Sequence, residues 1–229
     1  MGNFCGRMRK NHGRKRKKDF QIMIQKSMTI TYEVESGLYI NMTNRCSNAC
    51  TFCIRNNGSG AYGSDPLWLE REPTVDEVLS SVFARDLTKY REIVFCGYGE
   101  PTYRLHDARA VALKIKEQYP NMPIRINTNG HSDLILRTKT APLFEGAFDT
   151  VSISLNTPTP EEYVKLCRPI FKENAFNCLL NFAKEVKEFV PSVLFSVVRQ
   201  TLTEEELAAC ERHAAEAGVT LKIREYISN

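Results

Sequence analysis

The sequence predicts an α/β protein whose parallel strands form an open, partial (β/α)6 barrel. Short apolar runs of β type alternate with longer segments of helical period, which is typical of βαβ units. Six such units occupy roughly 190 residues, whereas a closed eightfold barrel needs about 250. A doubly wound parallel sheet is the alternative. Either fold would place chemical motifs at the C-terminal ends of the strands.

The strands are predicted from apolar runs bounded by turn residues, and the helices from apolar residues at helical spacing. The predicted strands are residues 38–42, 92–96, 124–127, 150–155, 193–198 and 221–224. The predicted helices are residues 75–86, 106–118, 132–143, 174–189 and 203–217. The last helix opens with a Thr-Glu-Glu-Glu capping signal and ends before Gly218.

Charge divides the chain into two parts. Residues 1–18 contain eight Lys or Arg and no acid, whereas the other 211 residues carry 23 bases and 27 acids, a net charge of −4. We therefore predict a flexible, solvated tail at residues 1–28 and one folded domain at residues 29–229. The alternative for the tail is contact with nucleic acid or another anionic surface.

The apolar segments of the chain are short. No stretch approaches the roughly 20 apolar residues of a membrane span, and no signal-peptide core is recognisable near the N-terminus. We expect a soluble, cytoplasmic protein with no membrane partner.

Three cysteines follow the first predicted strand with the spacing C-x3-C-x2-C: Cys46, Cys50 and Cys53. A single short loop at residues 43–56 can therefore wrap three thiolates around one polynuclear centre. A 4Fe-4S cluster takes four thiolates as a rule, so three would leave one iron open to a substrate or cofactor.

A zinc knuckle completed by Cys96 or a histidine is the alternative interpretation. Structural zinc sites usually pair one two-cysteine knuckle with a second, and the chain has no second knuckle. A cysteine at a strand end, such as Cys96, is usually a small apolar residue rather than a metal ligand.

These residues resemble the radical S-adenosylmethionine (SAM) superfamily, whose signature is CxxxCxxC with an aromatic residue before the last cysteine. Phe52 occupies that place. Within the superfamily, the chain from Thr31 to Tyr226 is similar to the small TatD-associated radical SAM proteins. The segments that match are residues 40–46, 51–56, 67–70, 95–101, 125–130 and 166–169.

The resemblance implies that SAM chelates the open iron and is cleaved reductively to a 5′-deoxyadenosyl radical, with an electron donor such as flavodoxin or ferredoxin. It also implies a set of cofactor-binding residues. Gly99 and Glu100, with Gly97 and Tyr98 before them, would meet the methionyl amino group. The family has a contiguous Gly-Gly-Glu here, and in this chain Tyr98 stands in the place of the first glycine. Polar residues after later strands complete the set: Asn129, Ser154, Asn156 and Arg199. The alternative roles of these residues are turn formation and, for Arg199 and Glu100, simple surface charge.

Residues 56–72 are long for a connection between a strand and a helix, and they contain the only tryptophan, Trp68. Long loops in compact domains often act as lids. Trp68 is expected either to form an apolar wall over the substrate or to pack on the barrel rim.

The sequence therefore favours an enzyme that abstracts hydrogen from an unidentified small molecule or peptide. The narrower alternatives are an activase of a glycyl-radical enzyme and a 7-carboxy-7-deazaguanine synthase. A metal-containing nucleic-acid-binding protein that uses the basic tail is the alternative from another class.

Overall fold

The structure is a computed structural model that describes residues 1–2 and 25–225. The helices are α1 (Val75–Phe83), α2 (Leu105–Gln118), α3 (Ser132–Leu136), α4 (Pro160–Cys167), α5 (Asn174–Val186) and α6 (Glu204–Ala217). The strands are β1 (Lys26–Ser27), β2 (Thr31–Val34), β3 (Gly37–Ile40), β4 (Trp68–Leu69), β5 (Glu92–Phe95), β6 (Ile124–Thr128), β7 (Thr150–Ser154), β8 (Ser192–Val198) and β9 (Thr220–Arg224).

Seven strands form the main sheet in the order β2-β3-β5-β6-β7-β8-β9. All neighbours are parallel except β2, which runs antiparallel to β3 at one edge. The six parallel strands are the six predicted from the sequence. The edge strands β2 and β9 do not pair with each other, so the barrel is partial, as predicted.

The two faces of the sheet differ in chemistry. One face packs against the helices and presents apolar side chains in register, among them Ile40, Phe95 and Ile126. Alternate residues point to the opposite face, here called the inner face, and many are polar. Arg125 on the inner face donates two hydrogen bonds to Glu92, at 2.7 and 3.0 Å.

Several element boundaries differ from the prediction. Helix α3 ends at Leu136, not at residue 143, because Arg137 adopts a left-handed φ of 56° and a separate 3-10 turn spans Ala141–Phe144. Pro142 in that turn has no N–H to continue a helix. Helix α1 also ends earlier than predicted, at Phe83.

Three features were absent from the prediction. Helix α4 begins with Thr159, whose side chain accepts a hydrogen bond from the Glu162 N–H, followed by a proline at the first helical position. Strand β2 is the antiparallel edge. Strands β1 and β4 form a separate pair, so Lys26 and Ser27, assigned to the tail by sequence, lie in a strand. Every helix in residues 25–225 is too short or too polar to cross a bilayer.

Candidate active site

The loops that follow β3, β5 and β6 meet at one edge of the sheet, as expected for the C-terminal ends of parallel strands. The Glu100 N–H donates to the Arg45 carbonyl oxygen at 2.7 Å, which joins the second loop to the first. Asn129 Nδ2 donates to Ser47 Oγ at 2.8 Å, which joins the third loop to the first. The loop that carries the cysteines is therefore held from two sides.

The cysteine loop is also bonded to the end of α4. The N–H groups of Ala49 and Thr51 donate to the carbonyl oxygens of Cys167 and Leu166, both at 3.0 Å. In the opposite direction, the Ile170 N–H donates to the Ser47 carbonyl oxygen at 2.9 Å. These three backbone hydrogen bonds fix the path of the cysteine loop against the end of α4.

Cys46, Cys50 and Cys53 are free, half-buried thiols. Burial raises the pKa of Cys46 to about 12, with the nearby Glu100 carboxylate adding to the shift. The pKa of Cys50 is raised chiefly by its hydrogen bond to the Cys167 thiol, and that of Cys53 by burial. Such thiols give up their protons when a metal cation compensates the thiolate charge, so this donor set fits a thiolate-bound cluster.

No group of three or more His, Cys, Asp or Glu side chains within residues 1–2 and 25–225 is arranged to hold a single metal ion. A four-iron cluster is a different case, because each thiolate binds its own iron. Phe52, between the last two cysteines, is half-buried and packs against the main core.

Two glycines allow the loop after β5 to approach the end of β3 and the cysteine loop that follows it. A Cβ atom at Gly99 would lie 2.2 Å from the Thr43 carbonyl oxygen and 2.7 Å from that of Arg45. A Cβ atom at Gly97 would lie 2.1 Å from Asn41 Oδ1. Real Cβ atoms do not come so close to oxygen, so the backbone separation requires glycine at position 99, whereas a Cβ atom at position 97 would displace the Asn41 side chain.

Glu100 is a buried carboxylate, 4% exposed, that accepts four hydrogen bonds. Its Oε1 accepts from Thr102 N, Thr102 Oγ1 and Thr128 Oγ1 at 2.7 to 3.1 Å. Within the described part of the chain, its Oε2 accepts only from Asn129 N, at 2.7 Å. Burial raises the pKa of Glu100, and the four hydrogen bonds oppose that shift. Oε2 keeps acceptor capacity for one further donor.

A buried polar network lies beneath the cysteine loop and was not predicted from the sequence. Ser47 Oγ lies 3.2 Å from His131 Nδ1, and His131 Nε2 lies 3.3 Å from Tyr163 Oη. Asn48 Nδ2 donates to Tyr163 Oη at 3.0 Å. Burial lowers the pKa of His131 to about 4, so its ring is neutral near pH 7. No local sequence pattern indicates that these residues support the cysteine loop, because the network depends on a contact between the loop and α4, which are far apart in the chain.

The other predicted cofactor residues occupy different settings. Asn129 is buried, and its side chain is engaged by Ser47 and by the His131 N–H. Asn156, with a φ of 61°, is buried with Oδ1 unpartnered. Ser154 is half-buried on the inner face, in register with Ser196. Arg199 lies in a 3-10 turn after β8 and pairs with Glu204.

Tyr98 connects the loop after β5 to residues 56–72. It is buried, and its hydroxyl donates to the carbonyl oxygens of Gly58 and Gly60 at 3.1 and 2.8 Å. Trp68 packs edge-on against the Tyr98 ring, with centroids 5.3 Å apart, and Arg55 lies over the indole. This segment therefore packs on the barrel rim.

Cys96 lies away from the three-cysteine loop. It is at the end of β5, where alternation places it on the inner face, and its carbonyl oxygen accepts from Tyr32 Oη at 3.2 Å. Burial raises the pKa of its thiol. Its neighbours there include Asn127 and Tyr62.

Comparison with known proteins agrees with this geometry. A family model of the Radical SAM superfamily matches residues 40–213, most of the chain. A GTP 3′,8-cyclase of Corynebacterium glutamicum is 36% identical over 142 residues, covering 59% of this chain and 34% of the cyclase. A probable GTP 3′,8-cyclase of Methanosarcina mazei is 30% identical over 135 residues, covering 57% and 36%. The chain spans about a third of the length of these relatives.

Solved structures share the fold at low identity. SuiB of Streptococcus suis bound to its precursor peptide SuiA has a TM-score of 0.60 at 17% identity, covering 86% of this chain and 40% of SuiB. SuiB bound to S-adenosylmethionine has a TM-score of 0.56 at 16% identity, covering 82% and 38%. Methylornithine synthase has a TM-score of 0.55 at 16% identity, covering 83% and 53%.

Proposed function

This chain belongs to the radical SAM superfamily, and from that premise we propose that Cys46, Cys50 and Cys53 bind its cluster through their thiolates. Enzymes of this family use a 4Fe-4S cluster and S-adenosylmethionine. Three half-buried thiols on one short loop, held from two sides, support the proposal. One iron then has no protein thiolate and is open to the cofactor.

When bound, the cluster and S-adenosylmethionine would supply one-electron reductive cleavage of the sulfonium and, through the radical formed, abstraction of hydrogen from a substrate. The protein's part is to position the reactants and to exclude competing reactions. Gly99 brings the loop after β5 against the cysteine loop, and Gly97 brings it against Asn41 at the end of β3.

We assign Glu100 to the methionyl amino group, because Oε2 accepts one hydrogen bond and keeps capacity for an ammonium donor. Gly97, Tyr98 and Gly99 position that carboxylate, and Phe52 packs the cysteine loop on the core. Asn156, with its unpartnered Oδ1, and Ser154 are proposed to contact the ribose. Asn129 and Arg199 are proposed to contact the methionyl carboxylate. Arg199 would first break its ion pair with Glu204.

The substrate is proposed to bind on the inner face and to be anionic. Lys222 and Arg224 occupy the inner-face positions of β9, and neither has an acidic partner among the described residues. Two unpaired cations favour a substrate with a phosphate or carboxylate group. A nucleotide is the first probe, because the relatives named above are GTP 3′,8-cyclases.

The substrate assignment is tested by adding GTP to the reduced enzyme and measuring 5′-deoxyadenosine. A nucleotide substrate is expected to raise its formation above the uncoupled background, and the Arg224→Gln variant is expected to lose that increase. An increase that survives in the variant contradicts the assignment of Arg224. Activation of a glycyl-radical enzyme and 7-carboxy-7-deazaguanine synthesis stay predictions, as do the TatD-associated subgroup and a peptide substrate.

The cluster proposal is tested on protein purified without oxygen. We expect a brown protein with about four irons per chain that releases 5′-deoxyadenosine from S-adenosylmethionine on reduction. A variant with all three cysteines changed to alanine should be colourless. Wild-type protein that is colourless and contains zinc would overturn the proposal. Nucleic-acid contact through residues 1–28 stays a prediction that falls mostly outside the described residues.

A further inference from the structure

A fourth cysteine, Cys167, lies against Cys50 of the cysteine loop. It is the last residue of α4, and its side chain is fully buried. The Cys50 and Cys167 thiols are in hydrogen-bond contact, and Asn156 Nδ2 lies 3.6 Å from the Cys167 Sγ. A thiol that the cluster proposal does not use therefore touches one of the three proposed ligands.

The backbone holds these two cysteines together. The N–H groups on either side of Cys50, those of Ala49 and Thr51, donate to the carbonyl oxygens of Cys167 and Leu166, both at 3.0 Å. Residues joined by a disulfide have Cα atoms about 4.4 to 6.8 Å apart, a separation that hydrogen-bonded backbone segments provide. A disulfide between the two cysteines therefore leaves the loop in its place against α4.

The pair combines an accessible thiol with a buried one. Cys50 is half-buried, whereas Cys167 is 0% exposed. A redox-sensitive cysteine is typically accessible and has beside it a second cysteine, called the resolving cysteine, that forms a disulfide with the oxidised first one. The loop has three cysteines, so pairing among themselves leaves one thiol over, and Cys167 makes the number even.

We propose that Cys167 is the resolving cysteine of a reversible disulfide with Cys50, which protects the cysteine loop against peroxide. The inference rests on the proposed function, since it takes Cys50 to be a cluster ligand. A metal-bound cysteine is a thiolate, so loss of the iron leaves Cys50 in its reactive form. Hydrogen peroxide oxidises that thiolate to a sulfenic acid and is itself reduced to hydroxide. The Cys167 thiol then attacks the sulfenic sulfur, the S–S bond forms and water leaves.

The reverse step needs only a thiol reductant. Two molecules of a thiol such as glutathione return both cysteines to thiols and are themselves oxidised to a disulfide. Without Cys167, a second peroxide carries Cys50 to the sulfinic acid, which thiols do not reduce. A buried cysteine that only fills space would instead be replaceable by alanine with no effect under oxidant.

The test uses the complete chain, loaded with its cluster. The protein is treated with hydrogen peroxide, its remaining thiols are blocked by alkylation, and it is digested with trypsin without reduction. The proposed disulfide joins the peptides of residues 46–55 and 166–172, whereas a disulfide within the loop stays inside the peptide of residues 46–55. Fragment-ion spectra identify which loop cysteine is linked.

Recovery is measured on a second sample. Peroxide-treated protein is reduced with dithiothreitol, supplied with iron and sulfide, and assayed for iron. Cys167→Ala is compared with wild type and with Cys210→Ala, which removes another fully buried cysteine from a helix, α6. Before treatment, all three proteins are expected to hold the same amount of iron.

We expect treated wild type to give the two linked peptides, with Cys50 as the linked residue of the loop. Cys167→Ala should regain at least roughly threefold less of its initial iron than wild type and Cys210→Ala. Disulfides confined to residues 46–55, a link from Cys46 or Cys53, or equal recovery in the two variants overturns the inference. The wild-type peptide map decides the matter even if Cys167→Ala fails to fold. Untreated wild-type protein that holds no iron contradicts the proposed function instead.

Discussion

The Glu100 carboxylate joins the loop after β5 to the loop after β6. It accepts hydrogen bonds from its own loop, from Thr128 at the end of β6 and from the Asn129 N–H. A buried carboxylate without such donors would be costly, so the four bonds both stabilise Glu100 and fix its direction. Its setting beside glycine suggested a binding role in the sequence, but its partners are visible only in the fold.

Cysteine residues provide the first prediction. Cys50→Ala is expected to lose most of its iron, because it removes one of three thiolates that share the cluster. Cys96→Ala is expected to retain its iron, because Cys96 lies on the inner face among Asn127 and Tyr62. Iron and sulfide assays on anaerobically purified protein measure both. Iron loss in Cys96→Ala would show that the ligand assignment is wrong.

His131 provides a prediction about stability and pH. Its folded pKa of about 4 lies below the value near 6.5 of an unfolded chain. The unfolded state therefore binds more protons between these values, and the free energy of unfolding falls as the pH drops through that window. Between pH 7.5 and 5, the wild type should lose about 2 kcal/mol more than His131→Gln. Anaerobic urea unfolding of both proteins measures the difference, and equal losses would contradict the prediction.

At the scale of elements, the cysteine loop depends on segments far away in the sequence. The end of α4 binds the loop backbone, and Tyr163 of that helix closes the network through His131. Helix α4 was not predicted, although Thr159-Pro160-Glu161-Glu162 is an N-terminal signature. Its packing against the loop could not be predicted, because no local pattern encodes a contact across more than 100 residues.

The contact between the two loops provides the next prediction. Gly99→Ala places a Cβ atom against the Thr43 carbonyl oxygen and should displace the loop that carries Glu100. A displacement of about 1 Å can lower a rate roughly a hundredfold, so cleavage of S-adenosylmethionine should fall steeply. Gly146→Ala is the matched control. Its added Cβ atom meets open space, and its left-handed φ of 70° makes the alanine destabilising without moving the candidate site. Equal cleavage in the two variants would contradict this prediction.

For the whole molecule, the sheet sorts side chains into an apolar face under the helices and a polar inner face. The alternation follows from the strand period of two, so the sequence pattern already contains it. Curvature of the sheet brings distant residues of the inner face together. Arg224 of the edge strand β9 lies near Cys96 at the end of β5, four strands away, and near Tyr62.

Charge at the N-terminus provides the last prediction. Deleting residues 1–18 removes eight bases and no acid, which changes the formal net charge from +4 to −4. The truncated protein is expected to keep its iron content and its cleavage of S-adenosylmethionine, and to lose any salt-dependent binding of a DNA oligonucleotide. Iron assay and gel-shift titration measure these properties. Loss of iron on truncation would place the segment within the folded domain.

The sequence by itself determined the six parallel strands, their order of appearance and the three-cysteine spacing. These features are local, since they depend on periodicity and on residue types within a few positions of one another. The tertiary structure alone decided that Gly99 touches Thr43, that His131 and Tyr163 support the cysteine loop, and that the C-terminal end of α4 borders it. Such contacts join residues far apart in the chain, and they depend on packing, which no local pattern of residue types specifies.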